Sequence, residues 1–159
     1  MDDILKILKE NARQSVDFIA AQVKSTGEAV AAKIKEYEDK GVIRGYQAVI
    51  NDDKMPNRRV TAQITVKVIP QREGGFDTIA HRIANFPEVT SLYLMSGDAD
   101  LLLFVEGEDL GQVASFVSER LSTIPGVTGT STHFMLKTYK HQGVLMRSPD
   151  SHERLPVSP

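Results

Sequence analysis

Leu94-Met95-Ser96-Gly97-Asp98-Ala99-Asp100-Leu101-Leu102 is the stretch on which the reading of the fold turns. Gly97-Asp98 is a turn dipeptide held between two apolar runs, the pattern of a β-hairpin. Turn chemistry accounts for both residues: glycine supplies positive φ, and aspartate bonds to local backbone. It does not require Asp100 at the head of an apolar strand. Moving outward, Asn85-Phe86-Pro87-Glu88-Val89-Thr90 and Thr123-Ile124-Pro125-Gly126-Val127-Thr128 share a hydrophobic-Pro-x-Val-Thr core 38 positions apart. An amphipathic stretch precedes each. Phe76, Ile79, Ala80 and Ile83 form the first stripe; Leu110, Val113, Val117 and Leu121 form the second, with Asp109 and Gln112 as its N-terminal cap.

The periodicity predicts strands over Val60–Ile69, Val89–Met95, Asp100–Glu106 and Val127–Lys137. The resulting order, β-α-β-β-α-β, is that of a ferredoxin-like domain, an antiparallel sheet with both helices on one face. The other face needs a cover, and a second copy of the chain is the economical one.

Residues 51–59, Asn51-Asp52-Asp53-Lys54-Met55-Pro56-Asn57-Arg58-Arg59, are polar and lack periodicity, so they read as a linker. Before them come three helices. Ile4, Leu5 and Leu8 make one stripe. Ser15 caps a second helix with Phe18, Ile19 and Val23 facing inward. Ser25 and Glu28 fit a capping box for a third, with Val30, Ile34 and Tyr37 buried and Gly41 as its stop. Val42–Ile50 reads as two short strands around Arg44-Gly45. A tight turn between two helices, a longer helix and a small hairpin make a winged helix-turn-helix. The chain is therefore α+β, with a winged helix-turn-helix over 1–51, a linker over 52–59, a ferredoxin-like βαββαβ domain over 60–138 and a tail over 139–159.

On a helical wheel that buries Val30, Ile34 and Tyr37, the outward face of the third helix carries Glu28, Ala32, Lys35 and Asp39. In a helix-turn-helix this face enters the major groove of duplex DNA. Thr26, Glu28 and Lys35 are the candidate contacts, Ser25 lies in the same turn, and Lys24, Lys33 and Arg44 flank them within reach of phosphates. Charge balance argues the other way. Net charge is −2, and the first 55 residues carry nine basic and ten acidic side chains, without the basic excess common in DNA-binding domains.

Composition excludes much else. With no cysteine among 159 residues, disulfides, thiolate metal sites and cysteine nucleophiles are ruled out. The histidines, His81, His133, His141 and His152, are scattered without metal-ligand spacing. The start Met1-Asp2-Asp3-Ile4 is unlike a signal peptide, and no run approaches a membrane span. The expectation is a cytoplasmic protein with no metal, cofactor or catalytic residues.

These residues together resemble the Lrp/AsnC family of leucine- and asparagine-responsive regulators over nearly the whole chain. The resemblance runs through Ile4–Leu8, Phe18-Ile19-Ala20, and Val30…Lys33-Ile34-Lys35…Tyr37-Glu38…Gly41-Val42-Ile43…Gly45-Tyr46. In the second domain it rests on Ser96-Gly97-Asp98-Ala99-Asp100-Leu101-Leu102, Ile124-Pro125-Gly126-Val127 and Thr130-Ser131-Thr132. The tail, Tyr139–Val144 and Glu153–Pro159, resembles tails of some members. The resemblance implies a DNA-binding transcriptional regulator whose dimers assemble further, often to octamers. An amino acid or related metabolite would bind between dimers near the Gly-Asp hairpin. By position, the ligand region falls on Leu94, Ser96, Gly97, Asp98 and Asp100, and positions that influence the response fall on Phe134 and Met135. A carboxylate suits the ligand's ammonium, and backbone N–H groups suit its carboxylate. The chain departs from the family at Glu36 and Glu28, which interrupt the basic character of the third helix. Two further readings compete: a metabolite-sensing assembly module with a degenerate DNA-binding head, and an enzyme like the sirohaem decarboxylases, which resemble the same architecture.

Overall fold

The computed structural model describes residues 2–70 and 74–146. His152 and the Glu153–Pro159 end of the tail lie outside the described residues. The chain forms two compact units, Met1–Val49 and Ile50–Pro159.

The first unit holds three helices, α1 (Asp3–Glu10), α2 (Val16–Val23) and α3 (Gly27–Asp39). Each begins at a side-chain cap. Asp2 accepts from the Ile4 N–H at 2.9 Å, Ser15 from Phe18 at 3.2 Å and Thr26 from Ala29 at 3.3 Å. Thr26, not Ser25, is thus the cap of α3. The chain leaves α2 through Lys24 in the left-handed region, and the Ser25 N–H is spent on the Ala20 carbonyl, so the new helix starts one residue later. Ile4, Ile19, Ala20 and Val30 form the small core, with Ile7, Leu8, Val16, Val23 and Ile34 packed on it. Phe18, expected inward, is exposed, because an eight-residue helix buries one narrow face and Ile19 takes it.

Gly41 ends α3 with φ +67°, as expected. The hairpin expected over Val42–Ile50 is not paired: the segment carries no strand ladder. Its first N–H groups, Val42 and Ile43, both donate to the Tyr37 carbonyl and so serve the helix end. Gly45 is not left-handed, so no tight reversal occurs at Arg44-Gly45.

The second unit contains β1 (Val60–Val68), α4 (Asp77–Ala84), β2 (Val89–Leu94), β3 (Leu101–Gly107), α5 (Leu110–Ser115, continued by a π-helical turn over Phe116–Leu121) and β4 (Val127–Phe134). A small hairpin of β5 (Lys140–His141) and β6 (Val144–Leu145) follows. The main sheet is antiparallel in the order β2-β3-β1-β4, the ferredoxin-like order. Period-two alternation sends Ala62, Ile64, Val66, Leu101, Leu103 and Val105 to one face, where Ile79, Ile83, Val113, Phe116 and Leu121 from the helices meet them. Both helices therefore cover a single face. Asp109 caps α5 by accepting from Gln112 at 2.8 Å, but Leu110, expected in the apolar stripe, sits at the first position and is exposed. Arg120 pairs with Glu88 and lies 4.4 Å over the Phe86 ring, joining the end of α5 to the Phe-Pro-Glu stretch before β2.

Among the described residues of this unit, no helix packs on the opposite face of the sheet. Thr61, Gln63 and Thr65 of β1 and Leu102, Phe104 and Glu106 of β3 lie on it half-buried, and Tyr93 of β2 lies on it exposed. Among the described residues no helix is long and apolar enough to cross a membrane.

Candidate functional site

The candidate DNA contacts fall along α3 and its two ends. Lys24, Ser25, Thr26 and Glu28 cluster at the N-terminal turn and are exposed. Thr26 is partly committed, since its hydroxyl caps the helix. Lys35 projects from the next turns. Arg44 follows the helix, so a 13-residue helix, about 20 Å long at 1.5 Å per residue, separates it from Thr26. The set brackets a helix and does not converge on one point, a layout for tracking a groove and not for enclosing a small molecule.

The electrostatics of α3 were not legible in its composition alone. Glu36 accepts from Lys33 at 2.8 Å and from Lys40 at 2.6 Å, and Lys35 reaches Asp39 at 3.3 Å. Three lysines of α3 and its C-terminal end are thus matched by carboxylates one turn away. Hydrogen bonds from Lys33 and then Lys40 hold the Glu36 carboxyl down to about 2, so it stays ionised at any physiological pH. The same bond raises the Lys33 ammonium above its ordinary value, and that ammonium also lies 5.1 Å over the Tyr37 ring.

The candidate effector residues divide into two groups. Leu94, Ser96, Gly97, Asp98 and Asp100 surround the β2–β3 turn. That turn is wider than the two-residue tip expected: the strands stop at Leu94 and resume at Leu101, closed by the Met95 N–H donating to the Asp100 carbonyl at 2.8 Å. The reason is Asp100, which is drawn toward β1. Its N–H donates to the Val66 carbonyl at 3.1 Å, and its carboxylate accepts from the Val68 N–H at 2.8 Å. Asp100 therefore fastens the hairpin to the end of the neighbouring strand. Asp98 is exposed and has no side-chain hydrogen bond or ion pair among the described residues.

Phe134 and Met135 lie elsewhere. Leu94 pairs through Leu101 with Val66, whereas Phe134 pairs with Ala62 on the far edge strand. Four residues along the strand and three strand spacings across give a separation of about 19 Å. One chain does not bring the two groups to a common pocket.

The linker holds more structure than its composition indicated. Asn51 caps a 3-10 turn over Asp52–Lys54 and donates from its amide to the Met146 carbonyl at 2.9 Å. Arg58 pairs with Asp53 at 3.1 Å and donates to the Leu136 carbonyl at 2.9 Å. The signal was present in Asn-Asp-Asp, a turn-forming triplet; the distant carbonyl partners had none.

Two family models match the chain. One, described as the Lrp/AsnC ligand binding domain, covers residues 61–145, and the other, a winged helix-turn-helix DNA-binding model, covers residues 3–44. The HTH-type transcriptional regulator YugG of Bacillus subtilis, itself uncharacterised, is 44% identical over 99% of this chain and 95% of its own. The proline dehydrogenase transcriptional activator of Rhodobacter capsulatus is 30% identical over 87% of this chain and 90% of its own. A transcriptional regulator of Neisseria meningitidis, solved as its L-Met complex, superposes with a TM-score of 0.70 at 27% identity, covering 87% of this chain and 89% of that one.

Proposed function

Because the chain belongs to the Lrp/AsnC family of helix-turn-helix transcriptional regulators, a family of regulators and not of enzymes, we propose a division of labour between its two units. The first unit binds duplex DNA with α3 in the major groove. The second binds an amino acid or related small metabolite and joins chains into dimers and higher oligomers. A DNA partner and a cysteine-free chain fit a cytoplasmic setting.

The observation that carries the DNA reading is the outward face of α3. It is exposed from its capped N-terminal turn through Lys35, with Lys24 beside it. Binding is expected to fall linearly with log salt, as phosphate contacts require. In an anisotropy titration against the protein's own promoter, Lys35→Ala should weaken binding and lower the salt slope by about one. Lys33→Ala should also weaken it. Glu36→Gln, which leaves Lys33 and Lys40 without their carboxylate, should tighten it. The paired lysines favour the second reading, a sensing module with a degenerate head; absence of any binding at low salt would select it.

The open sheet face supports the assembly reading. Tyr93, Leu102 and Phe104 form an apolar strip there that a second sheet would bury. The gap of about 19 Å between the hairpin and Phe134 supports an effector pocket shared between chains, since a convex turn cannot enclose a ligand by itself. Asp98→Ala is expected to leave stability within about 0.5 kcal/mol, as for an unpartnered surface residue, and to remove the amino-acid dependence of oligomer size in light scattering. Asp100→Ala strands the Val68 N–H, which costs about 1–3 kcal/mol. An effector response that survives Asp98→Ala unchanged places the ligand away from the hairpin.

A further inference from the structure

The outward line of α3 runs through Glu28, Ala32, Lys35 and Asp39, all exposed. Ala29 and Ala31, also exposed, flank its N-terminal half. The charges farther along the helix are occupied: Lys35 reaches Asp39 at 3.3 Å, and Glu36 is held by Lys33 and Lys40. The Thr26 hydroxyl is spent on the Ala29 N–H. The Glu28 carboxylate, by contrast, has no hydrogen bond or ion pair among the described residues. The N-terminal half of the outward face thus offers one uncommitted polar group set among methyl groups. This is the half that a helix-turn-helix presents to base edges.

We propose that Glu28 and Ala32 set the sequence preference of the head: Glu28 selects a C·G base pair, and Ala32 selects a T·A pair about two steps away. The inference rests on α3 entering the major groove. A carboxylate can only accept hydrogen bonds. In that groove guanine offers the acceptors N7 and O6, thymine the acceptor O4, and adenine an amino group beside the acceptor N7. Cytosine offers its N4 amino group alone, so it is the base that meets a carboxylate without opposing it. The phosphates sharpen the choice. They repel Glu28 on every sequence, and a cytosine amino group offsets that repulsion where the site is correct. An acid in the first turn also suits the helix dipole, but that effect is the same on every DNA sequence. The Ala32 side chain is a single methyl group, which can touch the thymine C5-methyl once the helix lies close in the groove. Four residues at about 1.5 Å each put about 6 Å between Glu28 and Ala32, near two base-pair steps of about 3.4 Å. Lys35, farther along and engaged with Asp39, is left to phosphates.

The test selects bound duplexes from a random-sequence DNA pool with the full chain, then measures anisotropy on the enriched duplex and its single-pair variants. The enriched sequence is expected to hold a C·G pair with a T·A pair about two steps along. Replacing that cytosine should weaken binding about tenfold. Glu28→Gln should move the preference at that pair from cytosine to adenine, since an amide pairs with adenine N6 and N7. Glu28→Ala should erase the preference there and tighten binding to an unselected duplex. Loss of a helix-terminal acid by itself would weaken both duplexes alike. Uracil in place of the thymine removes only the methyl group from the DNA; it should weaken binding by the parent several-fold and leave binding by Ala32→Gly unchanged. Circular dichroism checks the fold of each variant. The same enriched sequence for the parent and Glu28→Gln, or an equal loss on all duplexes with Glu28→Ala, overturns the assignment of Glu28 and leaves a DNA-binding head standing. A parent indifferent to uracil overturns the assignment of Ala32. A pool from which nothing is retained at low salt overturns the groove reading and this inference with it.

Discussion

Replacing Ile19 by alanine is expected to unfold the first unit and abolish DNA binding while the second unit keeps its fold. Ile19 is fully buried, and the core around it consists of Ile4, Ala20 and Val30. Truncating a buried isoleucine costs about 2–5 kcal/mol, part of it from the cavity left behind. A unit of 49 residues has a total stability of about 2–7 kcal/mol at the usual yield per residue. The loss therefore matches what the unit has to lose. The second unit has a separate core built on its sheet, in which Ile19 takes no part. Thermal unfolding should show the low transition gone, the high one retained and oligomer size unchanged. One cooperative transition, shifted as a whole, would show that the two cores do not act independently.

Gly126→Val is expected to give the largest loss in the second unit, about 2–5 kcal/mol from backbone strain together with overpacking. Gly126 has φ +96°, where side chains are strained whatever the space. A Cβ added there would stand 2.6 Å from the Ile79 Cδ1 atom and 3.4 Å from the Ile69 carbonyl oxygen. Ile79 is buried under the sheet and has little room to retreat. The Gly126 carbonyl also accepts from the Ile69 N–H at 2.8 Å, so a backbone shift that relieved the clash would break the contact between the end of β1 and the start of β4. Gly129→Ala, with nothing within 4 Å and no positive φ, is the control and should stay near wild type. A urea midpoint for Gly126→Val within error of the control would mean that Ile79 yields at little cost.

The features legible in the sequence were those written by local rules. The alternation of β1 and β3, the 3.6-residue stripe of α4, and the caps at Ser15 and Asp109 all depend on neighbours within a turn, and the sheet order followed from their succession. The cap of α3 was misplaced by one residue because Ser25 and Thr26 are chemically equal as caps; the left-handed Lys24, which no residue type announces, decides between them. The pairing expected over Val42–Ile50 failed for a similar reason: the β-prone residues are there, but the first of them serve the end of α3. At the hairpin, the residue that turn chemistry left unexplained, Asp100, holds a strand 32 positions earlier, a contact invisible in local pattern. The residues of the linker were legible only as charges. Arg58 is occupied by a carbonyl partner nearly eighty positions away.

Glu36, clasped between Lys33 and Lys40, bears on how a regulator of this kind searches a genome. Non-specific affinity is set by cations that displace counterions from the backbone, and it fixes how long a protein lingers on irrelevant sequence. A recognition helix that answers its own lysines lingers briefly. With on the order of 10⁶–10⁹ competing sites in a genome, time saved at each one raises the share of molecules free to find an operator. In the assembly proposed above, occupancy rests on several heads landing together on properly spaced half-sites, so a lone head is soon lost and a correctly spaced set is retained.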